Sequence, residues 1–299
     1  MYNSTESLTE LVARLNPVLV EVASSFEVIL VNDGSADRSA EVIEELADRY
    51  AFVRGINLMR NYGQHNALLC GIRAAKSELI VTLDDDLQNP PEEVPRLVRK
   101  LLEGYDVVYG TPARQQHGLW RVLASQITRV ALQEVLGAKT ARHVSAFRVF
   151  RTELREGFAG YHSPFVSIDP LLTWAGARFA SLEVQHDPRR LGVSHYSLKK
   201  LLIHSLNLAT VFTTVPLQVA SIVGFSATLF GFGVLCYVLG RYFMQGSSVQ
   251  GFPFLASIIA IFSGTQLFAI GVIGEYLARM HFRLMGRPPY AIRSQTGSR

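Results

Sequence analysis

Two long stretches without a formal charge constrain this chain more than any other feature. From Val215 to Gly240, and again from Gly246 to Gly274, there is no Asp, Glu, Lys or Arg. Each run exceeds the ~20 residues that a helix needs to cross a hydrocarbon core. Only Arg241 and a short Gly/Ser turn separate them, so two spans, at about 215–240 and 252–274, are expected to form a hairpin. Two buried helices of a soluble core are the competing reading, and the lengths argue against it. The segment after the second span carries Arg279, Arg283, Arg287, Arg293 and Arg299, whereas the connecting loop carries Arg241 alone. Basic flanks stay cytoplasmic, so both termini are expected inside the cell membrane and the loop outside.

Composition agrees with a mixed molecule: 48% of the 299 residues are hydrophobic and 18% charged. The net charge of +4 suits a phosphate or an anionic lipid surface and is too weak to argue for nucleic acid. Cys70 and Cys236 lie in compositionally different halves, which excludes a disulfide framework and a cysteine metal site. The polar stretch from Met1 to Glu10 has no apolar segment of the signal-peptide kind, so the front of the chain is expected on the side of synthesis.

That front alternates strand and helix patterns, which predicts an α/β domain with a parallel, doubly wound sheet over 1–196. Strands are expected at 26–31, 53–58, 78–83 and 106–109, and helices at 38–50, 63–75 and from Pro90 to Glu103. A helix-like segment from Glu6 opens the chain with no strand ahead of it. Residues 197–214, with Lys199, Lys200 and His204 among leucines, read as an amphipathic helix in the interface plane, and 280–299 as a basic tail.

Ligands of open α/β sheets gather at the carboxyl ends of the strands. Asp33 follows one predicted strand, and Asp84, Asp85 and Asp86 follow another. Adjacent carboxylates repel unless a cation offsets them. In an extended chain, Asp84 and Asp86 would point to one side and Asp85 to the other. An oxygen-only site of this kind suits Mg²⁺ or Mn²⁺. No Gly-x-Gly-x-x-Gly, Walker loop or Gly-x-Ser-x-Gly elbow is present, which disfavours a dinucleotide dehydrogenase, a P-loop ATPase and a serine hydrolase. A second polar cluster runs from His186 to Tyr196. There Arg189 and Arg190 beside a Gly/Ser turn make a phosphate clamp, with a snorkelling basic belt as the plainer reading.

Taken together, Val31-Asn-Asp-Gly-Ser35, Arg60-Asn-Tyr-Gly-Gln-His65, Leu83-Asp-Asp-Asp-Leu-Gln-Asn-Pro-Pro-Glu-Glu93, Glu103-Gly-Tyr-Asp-Val-Val108, Gly274-Glu-Tyr-Leu-Ala-Arg279 and Arg287-Pro-Pro-Tyr290 resemble the polyprenyl-phosphate glycosyltransferases of glycosyltransferase family 2, which have the GT-A fold. The undecaprenyl-phosphate 4-deoxy-4-formamido-L-arabinose transferases and dolichyl-phosphate mannose synthase-like enzymes are the nearest in pattern. The resemblance implies transfer of one sugar from a UDP- or GDP-sugar to a polyprenyl phosphate such as undecaprenyl phosphate. It implies that Tyr2, Asn3, Asp33, Asp84, Asp85 and Gln88 serve the donor, that Asp84 and Asp86 hold Mg²⁺ or Mn²⁺, and that Asp86 and Arg189 act in catalysis. Arg189, Arg190, Ser194, His195 and Tyr196 would meet the acceptor phosphate.

Three departures from the family pattern stand out. Ser145-Ala146-Phe147-Arg148 has alanine where many relatives carry a catalytic aspartate, His195 replaces a lysine, and the first strand that normally ends in Tyr2-Asn3 is missing. The last implies a native start upstream of Met1. A phosphate monoester has its second pKa near ~6 and is already an anionic nucleophile at neutral pH, so a general base would gain little. Asp169 is a spare carboxylate that could enter the site. Two further readings remain: a scaffold that has lost the chemistry, motivated by Ala146, and a processive polysaccharide synthase, disfavoured by only two spans and no Gln-x-x-Arg-Trp motif. A lone hairpin packs little surface, so a homo-oligomer in the bilayer is expected.

Overall fold

The apolar runs of the front half are strands covered on both faces, which is why they read as nearly unbroken hydrophobic stretches. The computed structural model describes residues 1–112, 144–187, 210–211, 213–245 and 252–297. Helix α1 (Leu8–Val22) leads to β1 (Val28–Asn32), α2 (Ser39–Arg49), β2 (Val53–Leu58), α3 (Gln64–Ala74) and β3 (Leu79–Thr82). A 3₁₀ turn at Pro91–Glu93 starts α4 (Val94–Leu102), followed by β4 (Val107–Pro112), β5 (Arg148–Arg151), a 3₁₀ segment Thr152–Phe158, α5 (Ile168–Thr173) and β6 (Phe179–Val184).

Alternation along β4 shows the layering. Val107 and Tyr109 pack on one face with Leu69 and Ile72 of α3 and with Leu171 of α5, while Val108 packs on the other with Leu97 and Leu101 of α4. Beside β1 and β2 the same division holds. Leu8, Val12, Ile43 and Leu46 of α1 and α2 cover Leu30 and Val53, and Ala67 and Cys70 of α3 cover Ile56 and Leu58. Helices therefore sandwich the strands as the sequence predicts, and the predicted helix and strand positions hold to within a few residues.

The wholly parallel sheet does not hold. β1 pairs with β2 and β4 with β6 in parallel, but β5 runs antiparallel to both β3 and β4. A seventh strand, β7 (Ile292–Thr296), comes from the basic segment after the spans and pairs antiparallel with β2. Two sheets result, ordered β1-β2-β7 and β3-β5-β4-β6. Their edges β1 and β3 flank a cleft, and among the described residues only Met1 adds to that side of β1. Its amino group donates to the Val31 carbonyl (3.1 Å) and its carbonyl accepts from Asp33 N–H (3.0 Å).

The rear is a helical hairpin, α6 (Val215–Gln245) and α7 (Phe252–Leu284). At 1.5 Å per residue these helices measure roughly 45–50 Å, longer than the ~30 Å hydrocarbon core, so both are long and apolar enough to cross a membrane. Apolar side chains point outward all round, with Phe225 71% and Ile270 62% exposed. Such a surface suits lipid better than water. The two helices approach closely at Gly231, where a Cβ would lie 2.1 Å from the Phe262 ring. Small residues permit such contact between membrane helices. Gly231→Leu is expected to force the hairpin apart and lower the melting temperature in detergent by several degrees, while Gly233→Leu, which faces open space, leaves it nearly unchanged.

Candidate active site at the strand ends

The chain turns sharply as it leaves β1, and the turn is built for a buried carboxylate. Gly34 adopts φ +65°, and a Cβ there would stand 2.4 Å from the Arg60 carbonyl carbon, so only glycine fits. Asn32 side-chain nitrogen donates to Asn57 Oδ1 (2.9 Å) and its Oδ1 accepts from Ser35 N–H (3.0 Å). Asp33, 3% exposed, accepts from the N–H groups of Tyr62 (2.7 Å) and Gly63 (2.8 Å). It thereby fixes the loop between β2 and α3. Tyr2 and Asn3 are held against the same turn, through Asn3 N–H to Ser35 Oγ (3.0 Å) and Ala36 N–H to Asn3 Oδ1 (3.1 Å).

Beyond β3 the chain continues through Leu83 and Asp84, then turns at Asp85 and Asp86, with Leu87 at φ +58°. The extended alternation expected of the three aspartates is thus overturned: the turn brings all three carboxylates to one cleft. Asp84 Oδ1 accepts from Gln64 Nε2 (2.7 Å), and Asp86 Oδ1 accepts from Gln88 N–H (3.2 Å). Burial first, then repulsion from Asp86 and from Asp85, pushes the Asp84 carboxyl up to about 6. Such crowding is what a cation relieves. The donors are all oxygen, which fits Mg²⁺ or Mn²⁺ held by Asp84 and Asp86 with phosphate oxygens and water completing the shell. Among the described residues no three acidic, His or Cys side chains converge as a ready-made cage.

One cleft of about 680 Å³ gathers Tyr2, Asp33, Asp84, Asp85, Asp86 and Gln88. It follows the outer edges of β1 and β3 and is walled by Leu11 of α1 and by Ala67, Leu68 and Gly71 of α3. Gln64 also lines this cleft. The sequence offered it within the Arg60-Asn-Tyr-Gly-Gln-His65 run but assigned it no role.

Beneath the triplet lies a polar network that the sequence did not announce. The Arg148 guanidinium, 1% exposed, pairs with Asp169 and donates from Nε to Thr82 Oγ1 (3.1 Å). Thr82 in turn donates to the Ala146 carbonyl (2.7 Å), and the Tyr109 hydroxyl donates to Asp169 (3.1 Å). Burial, then the Asp169 charge, holds the Tyr109 hydroxyl well above the ordinary phenol range. The expectation that Asp169 enters the site as a spare carboxylate is therefore corrected. Asp169 is buried and committed to neutralising Arg148, and it does not line the cleft. Arg189, Arg190, Ser194, His195 and Tyr196 lie outside the described residues, as does nearly all of the interfacial helix expected at 197–214.

With this geometry established, comparison with known proteins gives a concordant result. The profile described as "Glycosyl transferase family 2" matches residues 1–158. An undecaprenyl-phosphate 4-deoxy-4-formamido-L-arabinose transferase of Pseudomonas aeruginosa (strain LESB58) is 37% identical over 295 residues, covering 98% of this chain and 87% of that protein. One from Photorhabdus laumondii is 36% identical over 300 residues, covering 99% and 92%. Among solved structures, glucosyl-3-phosphoglycerate synthase from Mycobacterium tuberculosis overlaps with a TM-score of 0.48 at 18% identity, over 70% of this chain and 75% of that one. The chain is a glycosyltransferase and belongs to glycosyl transferase family 2.

Proposed function

We propose that this protein transfers a single sugar from a UDP- or GDP-sugar to the phosphate of a polyprenyl phosphate at the cytoplasmic membrane face, with Mg²⁺ or Mn²⁺ at Asp84 and Asp86. The observation that carries the reading is that Tyr2, Asp33, Asp84, Asp85, Asp86 and Gln88 line one cleft at the strand ends, in a chain with two helices long and apolar enough to cross a membrane. Relatives named as undecaprenyl-phosphate sugar transferases over almost the whole chain support it. A bound divalent ion would neutralise charge on a leaving diphosphate. Around it, Gln64 and the Gln88 N–H hold the two ligand carboxylates in place, and Asp33 fixes the loop that closes the cleft. Ala146 provides no base, and a dianionic acceptor phosphate needs none. Orientation and electrostatics then carry the rate.

A donor screen with radiolabelled nucleotide-sugars, a short polyprenyl phosphate and either metal is expected to give one-sugar products. No transfer with any donor would favour the scaffold reading instead. Asp86→Ala is expected to lower transfer by about 100-fold or more and to abolish metal-dependent donor binding. Asp85→Ala should stay within a few-fold of the parent, because the proposed ion is held by Asp84 and Asp86. Equal losses would overturn the assignment of the metal pair.

The raised carboxyl of Asp84 sets a pH dependence of defined sign. Its folded value, about 6, lies above the ordinary 3.8, so the folded state binds the proton more tightly. Without divalent ions, stability should therefore fall as pH rises from about 4 to about 6 and level off above. Asp84→Asn should remove that slope in a thermal melt series, and added Mn²⁺ should stabilise the parent above pH 6 but not the variant. Asp169→Ala, by contrast, leaves Arg148 buried without its counter-ion and is expected to cost about 3–5 kcal/mol of stability. An Asp169→Ala protein that melts like the parent but has lost activity would restore Asp169 to the chemistry.

A further inference from the structure

The last turns of α7 dock on the catalytic domain through cations and rings. Tyr276 hydroxyl donates to the Thr213 carbonyl (2.8 Å), the Arg279 guanidinium lies 4.9 Å from the Phe165 ring centre, and Phe282 meets Phe165 edge-on at 6.0 Å. One turn further, Arg283 lies over the Tyr161 ring at 5.9 Å. Beside this contact opens a second cavity of about 610 Å³, with Phe158, Tyr161, His162, Ser163, Trp174 and Arg283 in its lining. It shares no lining residue with the cleft of the three aspartates.

Charge, depth and shape point the same way. Among the described residues no Asp or Glu lines the cavity, where a guanidinium, an imidazole and a hydroxyl meet. Two neighbouring cations are paired elsewhere, Arg279 with Glu275 and Arg155 with Glu156, and Arg73 donates to the Tyr161 carbonyl (2.7 Å). Arg283 is nine residues past Gly274, the end of the charge-free run (283 − 274 = 9). At 1.5 Å per residue this is roughly 13 Å, which sets the Arg283 backbone beyond a headgroup layer of about 5–8 Å, with its long side chain within snorkelling reach of lipid phosphates. Trp174 is 51% exposed and packs edge-on against Tyr161 at 5.6 Å. An indole half in water is favoured at a membrane interface, where its ring meets the glycerol region.

We propose that this cavity binds the phosphate of an anionic membrane phospholipid, with Arg283 as the principal donor, His162 and Ser163 beside it and Trp174 against the glycerol backbone. A guanidinium matches two phosphate oxygens at once. Because the cavity is bounded by α7 on one side and by the catalytic domain on the other, an occupied site fixes the height of the domain above the bilayer. An acceptor lipid would have to reach the cleft of the aspartates, from which this cavity is separate, so a resident lipid is the better match.

The chain has two tryptophans, Trp120 and Trp174, so Trp120→Phe leaves Trp174 as the sole emitter. In phosphatidylcholine nanodiscs, phosphatidylglycerol brominated near its carbonyls should quench Trp174 more efficiently than phosphatidylcholine brominated alike. Arg283→Gln should weaken the apparent affinity for phosphatidylglycerol about fivefold, the effect expected for one basic residue at an anionic surface, while Arg283→Lys retains most of it. Mn²⁺-dependent UDP binding by Arg283→Gln should match the parent. Native mass spectrometry of the chain with Trp120 intact, counting retained phosphatidylglycerol in parent and Arg283→Gln, gives the same reading if Trp120→Phe does not fold. Equal quenching by both lipids, or a preference that survives Arg283→Gln, overturns the proposal. So does an equal emission shift from inorganic phosphate in detergent, which would mark a site for soluble anions. Displacement of the brominated lipid by trace polyprenyl phosphate would also overturn it, by assigning the cavity to the acceptor.

Discussion

A guanidinium in the interior must be neutralised, and around Arg148 that requirement organises the centre of the catalytic domain. The cation is 1% exposed and draws in Asp169 from α5, Thr82 from the end of β3 and, through Asp169, Tyr109 from β4. Unpaired burial of such a charge is prohibitive, so the three elements are locked in a fixed relation. Thr82 is two residues from Asp84, and its hydroxyl also holds the backbone at Ala146. The position of the acidic triplet is therefore set from below by a buried network that meets the cleft at Thr82. Arg148 also pulls the Asp84 carboxyl back down, though less than burial and the two neighbouring carboxylates push it up.

Above that foundation, like charges are held close by the turn at Asp85 and Asp86 and by the left-handed backbone at Leu87. Folding concentrates negative charge here at a cost, which the cation and phosphates of the proposed function would offset. Such a site trades stability for function, as sites that depart from locally optimal chemistry commonly do.

Much of this was legible in the sequence because the relevant signals are local. Charge-free length marked the two helices of the hairpin, short apolar β-rich runs marked β1 to β4, and Asn32-Asp33-Gly34 marked a turn that only glycine completes. The pairing of β5 was not legible. Arg148–Arg151 is a short strand whose direction is decided by which edges remain free, and that is a non-local matter. The fate of Asp169 escaped for a similar reason. A carboxylate's sequence neighbours do not reveal an arginine that approaches from 21 residues away. β7 was hidden by composition, since Ile292–Thr296 reads as a polar, basic tail and becomes a strand only because β2 offers an edge.

That last strand changes how the molecule is moored. The polypeptide leaves the catalytic domain, passes through both long helices and returns to hydrogen-bond with β2, with Asn57 reaching Ser294 (3.1 Å) and Arg293 donating to the Met59 carbonyl (3.0 Å). The domain is consequently strapped to the hairpin at two points, one before α6 and one after α7. A single tether would let the domain swivel freely about one covalent axis. A double strap removes most of that rotational freedom, so the mouth of the cleft keeps a more constant bearing relative to the hairpin, and under the proposed function part of the entropic cost of aligning the domain with a lipid would be met when the chain folds.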